Sequence, residues 1–141
     1  MDTITIDSGE ITLSINNDES RTITFKPTDV RFAESFYGLA RSFYEKQKEL
    51  EAKEKEIETE GTEPLARAGK EISVTREAFN YMRSEIDKVF GAGTSKTVFG
   101  DIDSLHAFAQ FFRGIEPYVR KARQAEVERY IGENHEDVMD L

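Results

Sequence analysis

The sequence predicts a mainly α fold with a small N-terminal antiparallel β meander, a long helical hairpin and two C-terminal helices. Three observations predict it. Over the first 25 residues, Ile and Leu alternate with Thr and Ser, the period-2 pattern of half-buried strands. From Val30 onward, apolar residues recur at steps of three and four, the stripe of a helix with one face on a core. Gly and Pro fall between the periodic runs, where they punctuate the chain.

The elements follow in order. Thr3–Ile6, Ile11–Ile15 and Arg21–Phe25 read as three short strands, separated by Ser8-Gly9 and Asn16-Asn17-Asp18 as turn material. Pro27 ends the third strand, because it offers no ladder donor, and Thr28 or Asp29 caps the first helix. Val30, Phe32, Ala33, Phe36, Leu39, Ala40 and Phe43 form its stripe, with Tyr37 and Tyr44 at the edge. Gly38 interrupts it at a cost of about 1 kcal/mol against Ala, which marks a close packing point. From Glu45 the helix turns charged; Glu49/Lys53 and Glu51/Lys55 are favourable i,i+4 pairs. Leu50 and Ile57 alone continue the stripe, and this stretch reads as a solvated extension rather than a coiled-coil seam between copies.

Gly61–Gly69 reads as the loop of an αα-hairpin, followed by a second helix from about Glu71 to Phe90. Ile72, Phe79, Met82, Ile86 and Val89 would share its buried face. A third helix, capped by Asp101 or Asp103, places Leu105, Phe108, Phe112 and Ile115 on a stripe with Phe111 beside it. Gly114 and Pro117 then separate it from a fourth, since Pro suits the first turn of a new helix. Residues 1–131 are expected to form a single domain, with the meander over 1–26 and helices over 28–131. Residues 132–141 would be an acidic flexible tail.

Composition narrows the function classes. The 141 residues suffice for one domain with its own core. Cys is absent, which excludes disulfides, thiolate metal sites and a cysteine nucleophile. The net charge is −9, which opposes the phosphate neutralisation that drives nucleic-acid binding. Ten Phe and five Tyr are too much aromatic material for a disordered chain. No apolar run approaches the length of a membrane span, and MDTITIDSGE has no basic region leading into an apolar run, so no signal peptide is expected.

The densest cluster of special residues is Ile86–Asp101, IDKVFGAGTSKTVFGD. GAGTSKT invites comparison with a phosphate loop, but that motif requires Gly-Lys-Ser/Thr in order after a strand. Here Ser95 precedes Lys96, Phe90 stands where the first Gly belongs, and a helix leads in. The stretch reads instead as a structural corner or partner-binding element built from Phe90, Gly91, Gly93, Phe99, Gly100 and Asp101, with Gly91 as a helix C-cap. His106 and His135 are isolated, so no metal constellation forms around them. No nucleophile elbow or triad pattern is present, and no cofactor is implied. Arg113, Arg120, Lys121 and Arg123 make the C-terminal helical region locally basic. They serve either as intramolecular partners for acidic segments or as a docking face for an acidic protein.

Four segments carry a family resemblance: FKPTDVRFAESFY at Phe25–Tyr37, IDKVFGAGTSKTVFGD at Ile86–Asp101, FAQFFRGIEPYVRKAR at Phe108–Arg123 and ERYI at Glu128–Ile131. In this order they resemble small Gram-positive phage and prophage proteins of the tail gene cluster, inferred to be tail assembly chaperones. The resemblance implies a non-enzymatic, homo-oligomeric protein of the host bacterial cytoplasm. It would bind the tape measure protein, and the tail tube protein as a second partner, with no nucleic acid, membrane or cofactor. The alternative is a structural virion component, a tail or neck adaptor retained in the particle. A nucleotide-dependent enzyme using Gly91–Thr97 is the third and weakest reading. The family carries no catalytic residues onto this chain.

Overall fold

A computed structural model describes residues 1–61 and 63–130. The expected acidic tail, 132–141, lies outside the described residues, as does His135. Two strands come first, β1 (Ile11–Ile15) and β2 (Asp18–Phe25). They pair antiparallel, with Ile11 opposite Phe25 and Leu13 opposite Ile23. Asn16 and Asn17 join them, both at positive φ, 54° and 59°. That is the backbone a two-residue type I′ hairpin demands, and Asn tolerates it better than most residues. The expected third strand is not formed. Thr3–Ile6 has the alternation of a strand but pairs with no strand among the described residues, whose sheet consists of β1 and β2.

Asp29 caps α1 (Val30–Thr59), its carboxylate accepting from the Arg31 N–H at 2.9 Å. Ala33, Phe36, Leu39 and Phe43 are buried as their spacing requires. Val30, expected on this stripe, is exposed. Gly38 is not a packing point either: a Cβ built there meets nothing within 4 Å. Leu50 and Ile57 are buried within the chain, in the seam between α1 and α2. Leu50 shares a small surface hollow with Val74 and Ala78. The stretch is therefore one side of an intramolecular hairpin rather than a fully solvated extension. Its charged flanks carry the expected ion pairs, Glu49 with Lys53 at 3.3 Å and Glu51 with Lys55 at 3.5 Å.

The interhelical connection is shorter than Gly61–Gly69. α2 begins at Pro64 and runs to Phe90. Glu63 caps it by accepting from the Leu65 and Ala66 N–H groups, and Pro64 fits the first turn, where no N–H is needed. Gly69 is thus helical, its cost outweighed by a well-capped start. Ile72, expected on the buried face, is 63% exposed. Phe79, Met82 and Ile86 carry the burial instead.

After α2 a six-residue helix, α3 (Thr94–Phe99), precedes α4 (Leu105–Tyr130). The two expected C-terminal helices are one. Gly114 and Pro117 lie inside α4, although an interior Pro removes one helical hydrogen bond and costs about 3 kcal/mol. Ile115 and Val119 are buried on either side of Pro117 in the same core, and that shared packing carries the helix through. Its cap is neither Asp101 nor Asp103 but Ser104, whose hydroxyl accepts from the Ala107 N–H at 3.1 Å.

One core joins these parts: Ile23 and Phe25 of β2, the α1 stripe, Phe79, Met82 and Ile86, then Phe99 and five residues of α4 from Phe108 to Val119. It is largely aromatic. Phe36 and Phe108, at its centre, are almost fully buried.

Candidate functional site

The corner between α2 and α4 is built by backbone that only glycine readily adopts. Gly91 ends α2 at φ 119°, its N–H returning to the Asp87 carbonyl at 2.9 Å. Gly93 opens α3 in the left-handed region, and Gly100 closes it at φ 58°, ψ −124°. These three positions turn the chain twice within ten residues, Gly91 to Gly100, where side-chain-bearing residues would be strained.

The donors a phosphate would need are occupied. The Ser95 N–H bonds Asp87 Oδ1 at 2.8 Å and the Ser95 hydroxyl bonds Asp87 Oδ2 at 3.2 Å. A carboxylate of the protein itself therefore sits at the start of α3. The Thr94 and Thr97 N–H groups donate to the Gly91 and Gly93 carbonyls. Lys96 reaches out of the corner to Asp101, and this bond holds the Asp101 carboxyl below the usual aspartate range.

Two arginines that sequence reasoning passed over hold the corner. Arg21, on β2, donates from Nε to the Thr97 carbonyl at 3.0 Å and from a terminal nitrogen to the Val98 carbonyl at 2.7 Å. Arg83, on α2, donates to Asp103 at 2.7 Å, to the Ile102 carbonyl at 2.8 Å and, more loosely, to the Ser95 carbonyl at 3.4 Å. Its guanidinium also lies over the Phe99 and Phe108 rings, 5.7 and 5.9 Å from their centroids. A short helix leaves its last carbonyls without partners, and a planar five-donor fork suits several at once. The sequence did carry a signal. Arg21 takes the next inward position after Phe25 and Ile23, and Arg83 flanks the buried stripe of Phe79, Met82 and Ile86.

Phe90 and Phe99 anchor the two ends of the corner. Phe99 is buried and stacks on Phe108. Phe90, half-buried, meets Phe25, Phe32, Phe36 and Phe111 edge to face. The corner thus ties α2 to the β hairpin on one side and to α4 on the other.

The basic residues do not form one face. Arg113 and Arg120 lie two turns apart on one side of α4, and Arg120 is paired with Glu116 at 3.3 Å. Glu116 in turn accepts from the Tyr37 hydroxyl at 3.3 Å. Burial, together with the negative charge and hydrogen bond of Glu116, raises the Tyr37 pKa. Lys121 is turned about 100° from Arg120 and is exposed; Arg123 is half-buried.

Beside the corner, between the β hairpin and α4, runs an open groove of about 610 Å³. Leu13 and Ile15 wall one side, Phe111 and Tyr118 the other, with Val98 and Ile102 at the α3 end. Ile102 and Tyr118 are exposed there. Nothing in the sequence alone brings these six together; the hairpin and α4 are separated by most of the chain. Among the described residues no group of three or more His, Asp or Glu side chains is placed to hold a metal ion. No helix among them is long and apolar enough to cross a membrane. A family described only as of unknown function, DUF6673, matches residues 19–137. No curated protein and no solved structure matches the chain.

Proposed function

We propose, for a chain that belongs to the DUF6673 family of unknown function, a non-enzymatic role as a phage tail assembly chaperone in the host bacterial cytoplasm. Its client would be the tape measure protein, held before the tail tube closes around it, with the tube protein as a second partner. The observation that carries this reading is the groove between the β hairpin and α4. Its walls interleave Leu13, Ile15, Val98, Ile102, Phe111 and Tyr118 with Ser14, Asn16, Arg21 and Gln110, it opens to solvent, and it leaves Ile102 and Tyr118 exposed at its rim. Exposed apolar side chains set among polar ones in a groove are an expected mark of a protein partner, and an amphipathic helix can lay its apolar face along them. The four segments resembling tail-cluster proteins supply the identity of the client.

The test is co-expression and co-purification with a tape measure protein from the same genome. Wild-type protein should retain the client, and Ile102→Asp with Tyr118→Asp should release it; unchanged circular dichroism is the check that the fold holds, because Tyr118 also meets the buried Phe25 edge to face. Client retention by that double variant would overturn the groove as the binding surface. Mass spectrometry of purified particles separates the chaperone from a structural virion component: a chaperone is missing from the mature particle, and its presence there would overturn the proposal in favour of an adaptor.

A further inference from the structure

We propose that Thr3–Ile6 of one copy adds as a third strand to the outer edge of β1 in a second copy. The proposal stands whether or not the client is a tape measure protein.

The donor is a strand without a sheet. Thr3, Ile4, Thr5 and Ile6 alternate as β1 does, yet Ile4 is 84% exposed and Ile6 78% exposed. The acceptor is an edge without protection. β1 reads ITLSI, with no charge and no Pro, and the sheet has no strand beyond it. Exposed edges are ordinarily blunted by Lys, Pro or a covering element, because their free N–H and C=O groups template pairing with another chain.

The side-chain pattern matches in both directions. β1 turns Ile11, Leu13 and Ile15 inward, half-buried, and Thr12 and Ser14 outward. On the outer face Thr12 already bonds Thr24 across the hairpin at 2.9 Å. An added strand with Ile4 and Ile6 inward would set Thr3 and Thr5 beside Thr12, extending a row of threonines. Its isoleucines would extend the apolar wall made by Leu13 and Ile15.

On its own chain the segment leaves the outer edge of β1 unpaired. Asp7 Oδ1 accepts the Gly9 N–H at 2.8 Å and Ser8 Oγ accepts the Glu10 N–H at 3.4 Å. Gly9, at φ 71°, lies so close to Thr28 that a Cβ would come within 2.1 Å of its hydroxyl, which continues the register of Ile11 with Phe25. Beyond this turn Ile4 and Ile6 stand in water rather than along β1. A second copy supplies the missing strand by β-augmentation, an exchange that costs little because the element is the same in each copy.

The experiment uses the full chain. Light scattering behind size exclusion, over a range of concentrations, should give a mass above that of one chain. Ile4→Asp with Ile6→Asp should return it to one chain, with circular dichroism unchanged because both side chains are already in water. Cysteine is absent from the protein, so a Thr5→Cys copy mixed with a Thr12→Cys copy provides a second readout: a disulfide between unlike copies is expected. Three results would overturn the proposal. One is a single-chain mass at every concentration. Another is self-association untouched by the double variant. The third is a single-chain mass with residues 3–6 protected from hydrogen exchange, which would place the strand on its own β1.

Discussion

The ring of Phe99 lies flat on that of Phe108, with centroids 3.9 Å apart and planes 11° apart. One ring ends the shortest helix and the other opens the buried stripe of α4, so this contact fixes the corner on α4. Phe99→Ala is expected to cost about 3–5 kcal/mol, the range for emptying an aromatic site in a core. Phe90→Ala should cost less, about 2 kcal/mol on the same scale, because its ring keeps some contact with water. Urea unfolding of both variants checks the order as well as the size.

Arg83 serves carbonyls that no other side chain is seen to reach. Arg83→Met removes the donors for Ile102 and Ser95 and the partner of Asp103; water can reach the exposed acceptors, so the cost should be the net worth of the bonds, about 0.5–1.5 kcal/mol. Arg83→Lys keeps the charge but not the fork, and should recover less than half of the loss. A shift of the urea midpoint with unchanged slope is the expected signature. A lysine variant as stable as wild type would show that charge alone holds the corner.

Two glycines should respond in opposite directions to the same change. Gly38 is helical, exposed and free of neighbours, so Gly38→Ala should stabilise by about 0.5–1 kcal/mol. Gly100 sits at φ 58°, ψ −124°, where Ala is strained by about 1–3 kcal/mol. Thermal midpoints of the two variants should fall on either side of wild type.

Lys96 holds the Asp101 carboxyl below its ordinary value of 3.8, through a hydrogen bond and its charge. The sign follows from a lowered folded value: the contribution is present above the unfolded value and is lost as pH falls through the folded one. NMR titration should place the Asp101 midpoint below 3.8, and Lys96→Met should raise it. Both groups face solvent, so the thermal midpoint at neutral pH should hardly move. A large loss of stability would give Lys96 a structural role.

Local periodicity made most of this fold legible. The buried face of α1 and the Phe90–Gly91 stop of α2 are each written in residues close together in sequence, whereas the sparse Leu50 and Ile57 read as a solvated extension and are buried only because α2 folds back on them. Three features were not. Pro117 reads as a helix start, yet Ile115 and Val119 share a core across it, and packing outweighed the lost hydrogen bond. Thr3–Ile6 has strand alternation, but alternation does not say whose edge it meets. Arg21 and Arg83 stand at or beside inward positions, but most of their acceptors are main-chain carbonyls of a distant segment, which sequence composition cannot display. The groove belongs with these, since it exists only once the hairpin has been laid against α4.

The bond from Arg21 to the Thr97 and Val98 carbonyls also sets an order of events. During synthesis the β hairpin leaves the ribosome first, but Phe90, Phe111 and Tyr118, beside which Phe25 and the groove wall come to rest, do not yet exist. A lone two-stranded hairpin is at best marginal in water. Contacts across so long a stretch of chain must first overcome the entropy of closing it. The segment made earliest is therefore the last to be locked, and until then its unprotected edge stays open to whatever strand arrives.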